Sequence, residues 1–237
     1  MMDRAMFLYD THVHTKDVSR CGASTAAEQV RKSKKMGYTG IIITDHLVKG
    51  YSRCDETLPW EQQVRFLLSG YEAAKAEGRY SGLDVFFGWE YASWSNIPGM
   101  DILTYGLDEK FLIAHPKLFT FNLEKYSRQI HKHGGYLAQA HPFRNVAKED
   151  RKRKKFPAHL LDGAEVFNGC DTPEINALGY DYALRNNLCM QAGSDSHGVG
   201  RPDFACGVAL EKKADSIFDI INAIKLGTAK LVTGDDE

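Results

Sequence analysis

Apolar positions in this chain follow two alternating patterns. Short runs rich in β-branched and aromatic residues recur as MFLYD (6–10), GIIIT (40–44), DVFFGWE (84–90), DILTYG (101–106), YLAQA (136–140), AEVFN (164–168) and LCMQAG (188–193), and each predicts a buried strand. Helical spacing fills the intervals. Val64, Leu67, Leu68 and Tyr71 fall on one face, with Pro59 near the start of that helix. Thr25 and Glu28 have capping-box spacing, so a helix begins there and stops near Gly37. Others are predicted from about Asn122 to His133, ending at Gly134-Gly135, and from about Pro173 to Asn187. The last carries Ile217, Ile220, Ile221 and Ile224 on one stripe before Gly227.

Strand and helix alternating six or seven times imply a parallel sheet covered by helices. No nucleotide-binding glycine fingerprint is present, so the expected fold is an α/β barrel, closed or nearly so, formed by 1–237 as one domain. The longest irregular stretches, about 47–58 and 143–157, both follow a strand, where the active-site loops of such barrels lie.

Composition changes little in this picture: 43% apolar and 26% charged residues suit a globular domain. A formal net charge of −1 disfavours a surface that binds nucleic acid throughout, and stable nucleic-acid binding is not expected. The one basic run, Arg151 to Lys155, lacks interleaved aromatics and reads as a solvated loop. Five scattered cysteines without a C-x-x-C pair fit free thiols in a reducing compartment. No signal peptide or membrane span is legible, so a cytoplasmic location and no membrane partner are expected.

The chemistry sits at the ends of the strands. The first run leads into Asp10-Thr11-His12-Val13-His14, the second into Asp45-His46, the third ends in Glu90, the fifth leads into His141 and the last into Asp195-Ser196-His197. In a parallel barrel these ends converge on one face. His12 and His14, and likewise Asp195 and His197, are two apart and share a side of an extended chain. Asp45 and His46 are adjacent and diverge, which assigns His46 to a metal and Asp45 to support or a secondary ligand role. The other histidines, His115, His131, His133 and His159, read as surface or helix-end residues.

Imidazole and carboxylate donors without thiolate suit zinc, manganese or iron(II). Seven ligands exceed the needs of one tetrahedral ion, so two or three divalent ions are expected, with Glu90 or Asp195 as bridges. Glu165 and Asn168, at the end of the sixth strand, either tune a ligand, bind substrate or serve core hydrogen bonding; Trp89 and Trp94 flank Glu90 and either line the cleft or pack.

The ordered set D-T-H-V-H-T, I-T-D-H, G-W-E, A-H-P-F-R and G-S-D-S-H resembles the polymerase and histidinol phosphatase (PHP) domain, in its short stand-alone form, over nearly the whole chain. The resemblance implies a distorted (β/α)7-like barrel with up to three divalent ions that hydrolyses phosphate monoesters or diesters. It carries over His12, His14, His46, Glu90, His141, Asp195 and His197 as metal ligands, with Asp17 in the loop after H-x-H as a further one. Asp101 stands where many relatives have histidine. A metal-bound hydroxide would then attack phosphorus, and Arg144, Arg201 and Arg20 are the phosphate-clamp candidates, with Arg144 and Asp45 assigned to catalysis.

The expected substrate is a small phosphorylated molecule, a nucleotide or short oligonucleotide included. Two alternatives stand beside this reading. An amidohydrolase cleaving a C–N bond also opens with H-x-H, but no lysine ends a middle strand to bridge metals as a carbamate. A non-catalytic metal-bound interaction module should have lost ligands, and here most are present.

Overall fold

A computed structural model describes residues 6–47, 51–91, 100–151, 154 and 156–234. Nine strands among them form one sheet: β1 (Phe7–Val13), β2 (Gly40–Ile43), β3 (Asp84–Tyr91), β4 (Asp101–Tyr105), β5 (Tyr136–Ala140), β6 (Gly163–Asn168), β7 (Cys189–Gly193), β8 (Gly207–Leu210) and β9 (Lys230–Val232). They lie in the order β7-β6-β5-β4-β3-β2-β1-β8-β9. The helices are α1 (Ala26–Lys35), α2 (Trp60–Ser81), α3 (Glu109–Ala114), α4 (Leu123–Lys132), α5 (Pro173–Arg185) and α6 (Ile217–Lys225).

The sheet is mixed, which corrects the expectation of a wholly parallel one. β4 runs antiparallel to both β3 and β5, and β8 antiparallel to both β1 and β9. Chain length explains β4: residues 92–100, nine in all, link it to β3, and a parallel crossover needs about a dozen or more. The reversal matters for the site, because it brings the first residue of β4, Asp101, to the rim where the other strands end. Asp101 pairs with Ala140, the last residue of β5.

Closure is equally specific. β1 spends its outer edge twice: Phe7, Leu8 and Tyr9 pair with β8, and the second half turns to β7. There a single parallel bridge, Val13 to Ser196, replaces a ladder, helped by Thr11 Oγ1 donating to the Ala192 carbonyl (2.9 Å) and Ser194 N–H donating to Asp10 Oδ1 (2.9 Å). The sheet therefore curls into a nearly closed barrel of β1 to β7, with β8 and β9 as an outer flap.

Inward-facing Tyr9, Ile42, Leu103, Tyr105 and Tyr136 pack with Ile220, Ile221 and Ile224 of α6, which stopper the barrel at the end where the parallel strands begin. A second cluster fills the layer between the sheet and helices α2, α4 and α5.

Local signals explain most helix ends. Thr25 and Glu28 form the anticipated capping box on α1, and Asn122 caps α4 by accepting from Lys125 N–H at 2.9 Å. Pro59 precedes α2 and Pro173 opens α5. The sequence pattern did not announce α3, β8 or β9, which have six, four and three residues, too short for a period to register. No helix among the described residues is long and apolar enough to cross a membrane.

Candidate metal centre

The rim gathers eight ionisable side chains from six chain segments. Their ligand atoms form four overlapping triads, each within 4.8 Å: His14, His46, His197; His12, His14, Glu90; His12, His141, Asp195; and Glu90, Asp101, His141. Shared members make the triads neighbours, so the cluster offers more than one cation position. His12 and His14 point their Nε2 atoms at each other, 3.0 Å apart. Glu90 Oε2 stands 3.2 Å from His14 Nε2 and 3.2 Å from His46 Nδ1, while Oε1 lies 3.0 Å from His141 Nε2. Asp195 Oδ1 is 3.3 Å from His12 Nε2 and 3.2 Å from His14 Nε2.

These contacts have the spacing of coordination edges, since donors about 2.0–2.1 Å from a shared ion stand roughly 3.0–3.4 Å apart. Three buried atoms in the cluster, His46 Nδ1, His141 Nδ1 and Asp195 Oδ1, make no hydrogen bond of ordinary geometry with the described residues, although charged neighbours stand close to them. Buried polar atoms are otherwise nearly always satisfied, so orphans on three converging side chains fit a group that accepts their lone pairs. The donor set is one that divalent cations of the zinc, manganese and iron kind accept.

Electrostatics agrees. Burial disfavours charge on every ring, yet the carboxylates around His12, His14 and His141 outweigh it and raise all three, His14 to about 9. Burial would likewise raise Glu90 and Asp195, but the imidazoles around both and Arg144 beside Asp195 hold them well below the usual carboxylate range. Positive charge belongs at the centre of this cluster. Burial pushes His46 down to about 3 and His197 down to about 4, which leaves both neutral with lone pairs available. Asp101, half-buried beside His141, is raised to about 6 by desolvation.

A layer of hydrogen bonds fixes these side chains. Glu165 Oε1 lies 3.0 Å from His12 Nδ1, so the ring donates there and turns Nε2 toward the cluster, the nitrogen that would give its lone pair to a metal. Glu165 Oε2 accepts from His141 N–H (2.9 Å) and from Asn168 Nδ2 (2.8 Å). One carboxylate thus orients two proposed ligands from different strands. His197 Nδ1 donates to the Asp195 carbonyl at 2.7 Å, which likewise directs Nε2 outward. His141 (φ 28°) and Asp195 (φ 53°) both have left-handed backbones, a local strain common at functional sites.

The structure places the other residues singled out from sequence differently. Asp17 stands outside the cluster: its Oδ2 accepts from Ala26 N–H (2.7 Å) at the start of α1. Asp45 turns away from the ligand atoms and organises the turn after His14, with Oδ1 accepting from Thr15 N–H (2.7 Å) and Ser19 Oγ (2.6 Å), and Oδ2 accepting from Thr15 Oγ1 (2.7 Å). Arg144 is largely engaged. Its Nε donates to Asp171 Oδ1 (2.7 Å), its Nη2 to Asn168 Oδ1 (2.7 Å) and its Nη1 to Asp195 Oδ2, which uses three of the five N–H groups of a guanidinium. Arg20 is exposed and donates from Nε to the Ser52 carbonyl (2.7 Å). Arg201 is exposed in the turn after His197.

Glu165 and Asn168 belong to this hydrogen-bonded layer, and Trp89 is a packing residue, fully buried with Nε1 donating to Tyr126 Oη at 2.8 Å. Trp94 and most of the basic run at 151–155 lie outside the described residues. His115, His131, His133 and His159 are elsewhere, His131 against Asp162 at 2.8 Å. Sequence reasoning missed Asp171, which lies in a loop with no periodic signal, and Asp10, whose Oδ1 also accepts from His12 N–H at 3.1 Å. Asp10 was visible as the acid just before H-x-H.

No protein-family model matches the chain, and no curated protein matches it. Solved structures do. A two-domain protein from Bacteroides vulgatus containing a predicted PHP-like metal-dependent phosphoesterase superposes with a TM-score of 0.72 at 18% identity over 97% of this chain. The chain spans 65% of that protein's length. An amidohydrolase from Chromobacterium violaceum with bound sulfate and no metal gives 0.61 at 18% identity, over 96% of this chain and 98% of that one. A protein from Bifidobacterium adolescentis, whose description as a metal-dependent phosphoesterase is itself an inference, gives 0.53 at 16% identity, over 84% and 91% of the two chains. At these identities the likeness is one of fold.

Proposed function

We propose that the protein is a metal-dependent phosphoesterase that hydrolyses phosphate monoesters or diesters at a site for two or three divalent ions. The observation that carries this reading is the convergence of His12, His14, His46, Glu90, Asp101, His141, Asp195 and His197, with buried lone pairs left unmatched on three of them. Bound divalent ions of this kind acidify water and neutralise charge on phosphoryl oxygens.

The chain's own residues have distinct tasks in this scheme. His14, His46 and His197 would hold one part of the metal cluster, His12, His141 and Asp195 a second, and Glu90 and Asp101 with His141 a third, with Glu90 also reaching His12 and His14. Glu165 keeps the His12 proton on Nδ1 and the lone pair on Nε2. Arg144 holds Asp195 ionised and fixed, and the N–H groups it retains are our candidates for a phosphoryl oxygen, at closer range than the exposed Arg20 and Arg201. Asp45 keeps the turn after His14 in shape. We retain Asp17 only as a helix cap.

The neighbours described as phosphoesterases support this reading. The name of the Chromobacterium violaceum protein, amidohydrolase, favours a second reading, C–N hydrolysis at the same cluster. One experiment separates them: quantify bound metals by mass spectrometry, then offer phosphomonoesters, nucleotides, short oligonucleotides and cyclic amides to the reconstituted protein. Phosphate release is expected from monoesters and nucleotides, or shorter products from the oligonucleotides, which are diesters and release no free phosphate when cleaved. Full metal occupancy with neither phosphate released nor any diester cleaved refutes the phosphoesterase reading. His12→Ala and Asp195→Ala should lose metal and activity together, and full activity without either side chain refutes the site.

A further inference from the structure

We propose that Gln29 and Lys32, one turn apart on α1, are positioning residues that set the span between His14 and His197, and with it the affinity of the cation site formed by His14, His46 and His197. The inference rests on the metal-binding part of the reading above and is independent of its ester chemistry. The hydrogen bonds of both residues go to backbone carbonyls and to Ser196, not to the imidazoles. They converge where β1 and β7 meet through the single Val13–Ser196 bridge, with His14 on one side of that join and His197 on the other.

Gln29 is fully buried, and a buried amide is costly unless its polar atoms are matched. Here they are. Nε2 donates to the His14 carbonyl (2.8 Å) and to the Ser196 carbonyl (2.9 Å), while Oε1 accepts from Ser196 Oγ (3.0 Å). The first carbonyl belongs to the peptide that leaves His14 and the second to the peptide that enters His197; the second also accepts from His14 N–H at 2.9 Å. One side-chain amide thus ties the peptide planes next to two proposed ligands from different strands. Lys32 holds the same turn from beyond Ser196: Nζ donates to Ser196 Oγ and to the carbonyls of Gly198 and Arg201, each at 3.0 Å, which gives its three N–H groups one acceptor apiece. The His14 and His197 rings lie 4.6 Å apart, those of His14 and His46 4.5 Å, and the ligand atoms of the three converge within 4.8 Å. Constellations of this kind work only when held to within about 0.5 Å, so a peptide released at either strand end carries an imidazole out of range. The triad of His12, His141 and Asp195 takes its orientation from Glu165 and Arg144 instead.

The test titrates the full chain with cobalt(II), whose visible absorption reports its ligand geometry, and counts bound ions by mass spectrometry, with circular dichroism to establish folding. Gln29→Leu keeps the side-chain volume nearly unchanged and removes all three hydrogen bonds. Lys32→Met acts on the same turn from a half-buried position, and carries the test if Gln29→Leu folds poorly. In each, one cobalt ion should bind at least about tenfold more weakly than in wild type while the others are unchanged. The absorption lost should match that lost in His197→Ala. Thr25→Ala, which removes the N-cap of α1 and leaves these hydrogen bonds in place, should keep every ion. Unchanged cobalt affinity in either folded variant overturns the proposal and leaves the metal-centre reading standing. So does a lost absorption that matches His141→Ala rather than His197→Ala, or an equal loss in Thr25→Ala, which would make the effect one of helix stability. A wild-type protein that binds no cobalt overturns the metal-centre reading itself, and the proposal with it.

Discussion

Replacing Glu165 by glutamine changes one oxygen for an amide group and nothing in shape, yet its hydrogen-bond partners admit no comfortable orientation. Glu165 Oε1 faces His12 Nδ1 at 3.0 Å, and Oε2 accepts from His141 N–H and Asn168 Nδ2. If the new NH2 takes the Oε2 position, it confronts two donors. Asn168 cannot turn its amide to help, because its Oδ1 accepts from Arg144 Nη2 and Cys170 N–H. If the NH2 takes the Oε1 position, His12 Nδ1 must become the acceptor, and the ring proton moves to Nε2, the atom that faces His14, Glu90 and Asp195. Metal binding would then have to displace that proton or reverse the amide. Residues that orient metal-bound histidines in this way are worth about 10–100-fold in affinity, or roughly 1.4–2.7 kcal/mol. The assay is competition with a chromophoric chelator at pH 7.5, comparing wild type, Glu165→Gln and Glu165→Asp, with circular dichroism to establish that each is folded. The expected result is metal affinity at least about tenfold weaker in Glu165→Gln. Unchanged affinity in a folded Glu165→Gln protein would refute the claim that Glu165 fixes the His12 tautomer.

Other predictions follow from neighbouring geometry. A Cβ at Gly193 would stand 2.6 Å from Glu165 Oε1 and 2.7 Å from His12 Cβ, so Gly193→Ala should destabilise the fold by about 1–3 kcal/mol in urea titration; a neutral effect would show that the Glu165–His12 pair yields freely. Asp17→Ala should lose about 1 kcal/mol of stability as a helix cap and keep its full metal content, and loss of metal in mass spectrometry would return Asp17 to the ligand set. The metal-free protein should lose stability between about pH 6.5 and 9. His14, raised to about 9, binds its proton more tightly folded than unfolded, so its contribution is complete below the unfolded value of about 6.5 and vanishes as pH rises through the folded one. The buried Cys206 thiol, pushed upward by burial, acts in the same direction at the alkaline end. Urea midpoints that rise across this window would contradict that assignment.

The sequence made the ligand positions legible because each follows a strong apolar run, and strand ends in a barrel share a rim whatever their separation along the chain. His12 and Glu165 meet across 153 positions for this reason. What stayed hidden depends on direction and on side-chain orientation. DILTY has the same pattern whether its strand runs up or down, so the reversal that brings Asp101 to the rim is decided by the short link from β3. Asp17 and Asp45 sit beside histidines in sequence, but one faces a helix N-terminus and the other a turn. Arg144 read as a free phosphate clamp because nothing local announced Asp171 and Asn168 as its partners. Short elements such as β8 and β9 lack the length for a period, though β8 occupies the edge of β1 and so determines how the barrel shuts.

That shared edge gives the metal cluster a mechanical role. Every join from β1 round to β7 by way of β4 is a ladder of backbone hydrogen bonds, whereas β7 meets β1 through one bridge and a few side-chain contacts. His12 and His14 lie on one side of this seam, and Asp195 and His197 on the other. An ion held between them would act as a rivet across the weakest join of the cylinder and close a loop of some 180 residues. Its binding energy would then be felt as resistance of β7 to peeling from β1. In such an arrangement the reaction centre and the fastening of the barrel are the same object, and a chelator that silences one would loosen the other.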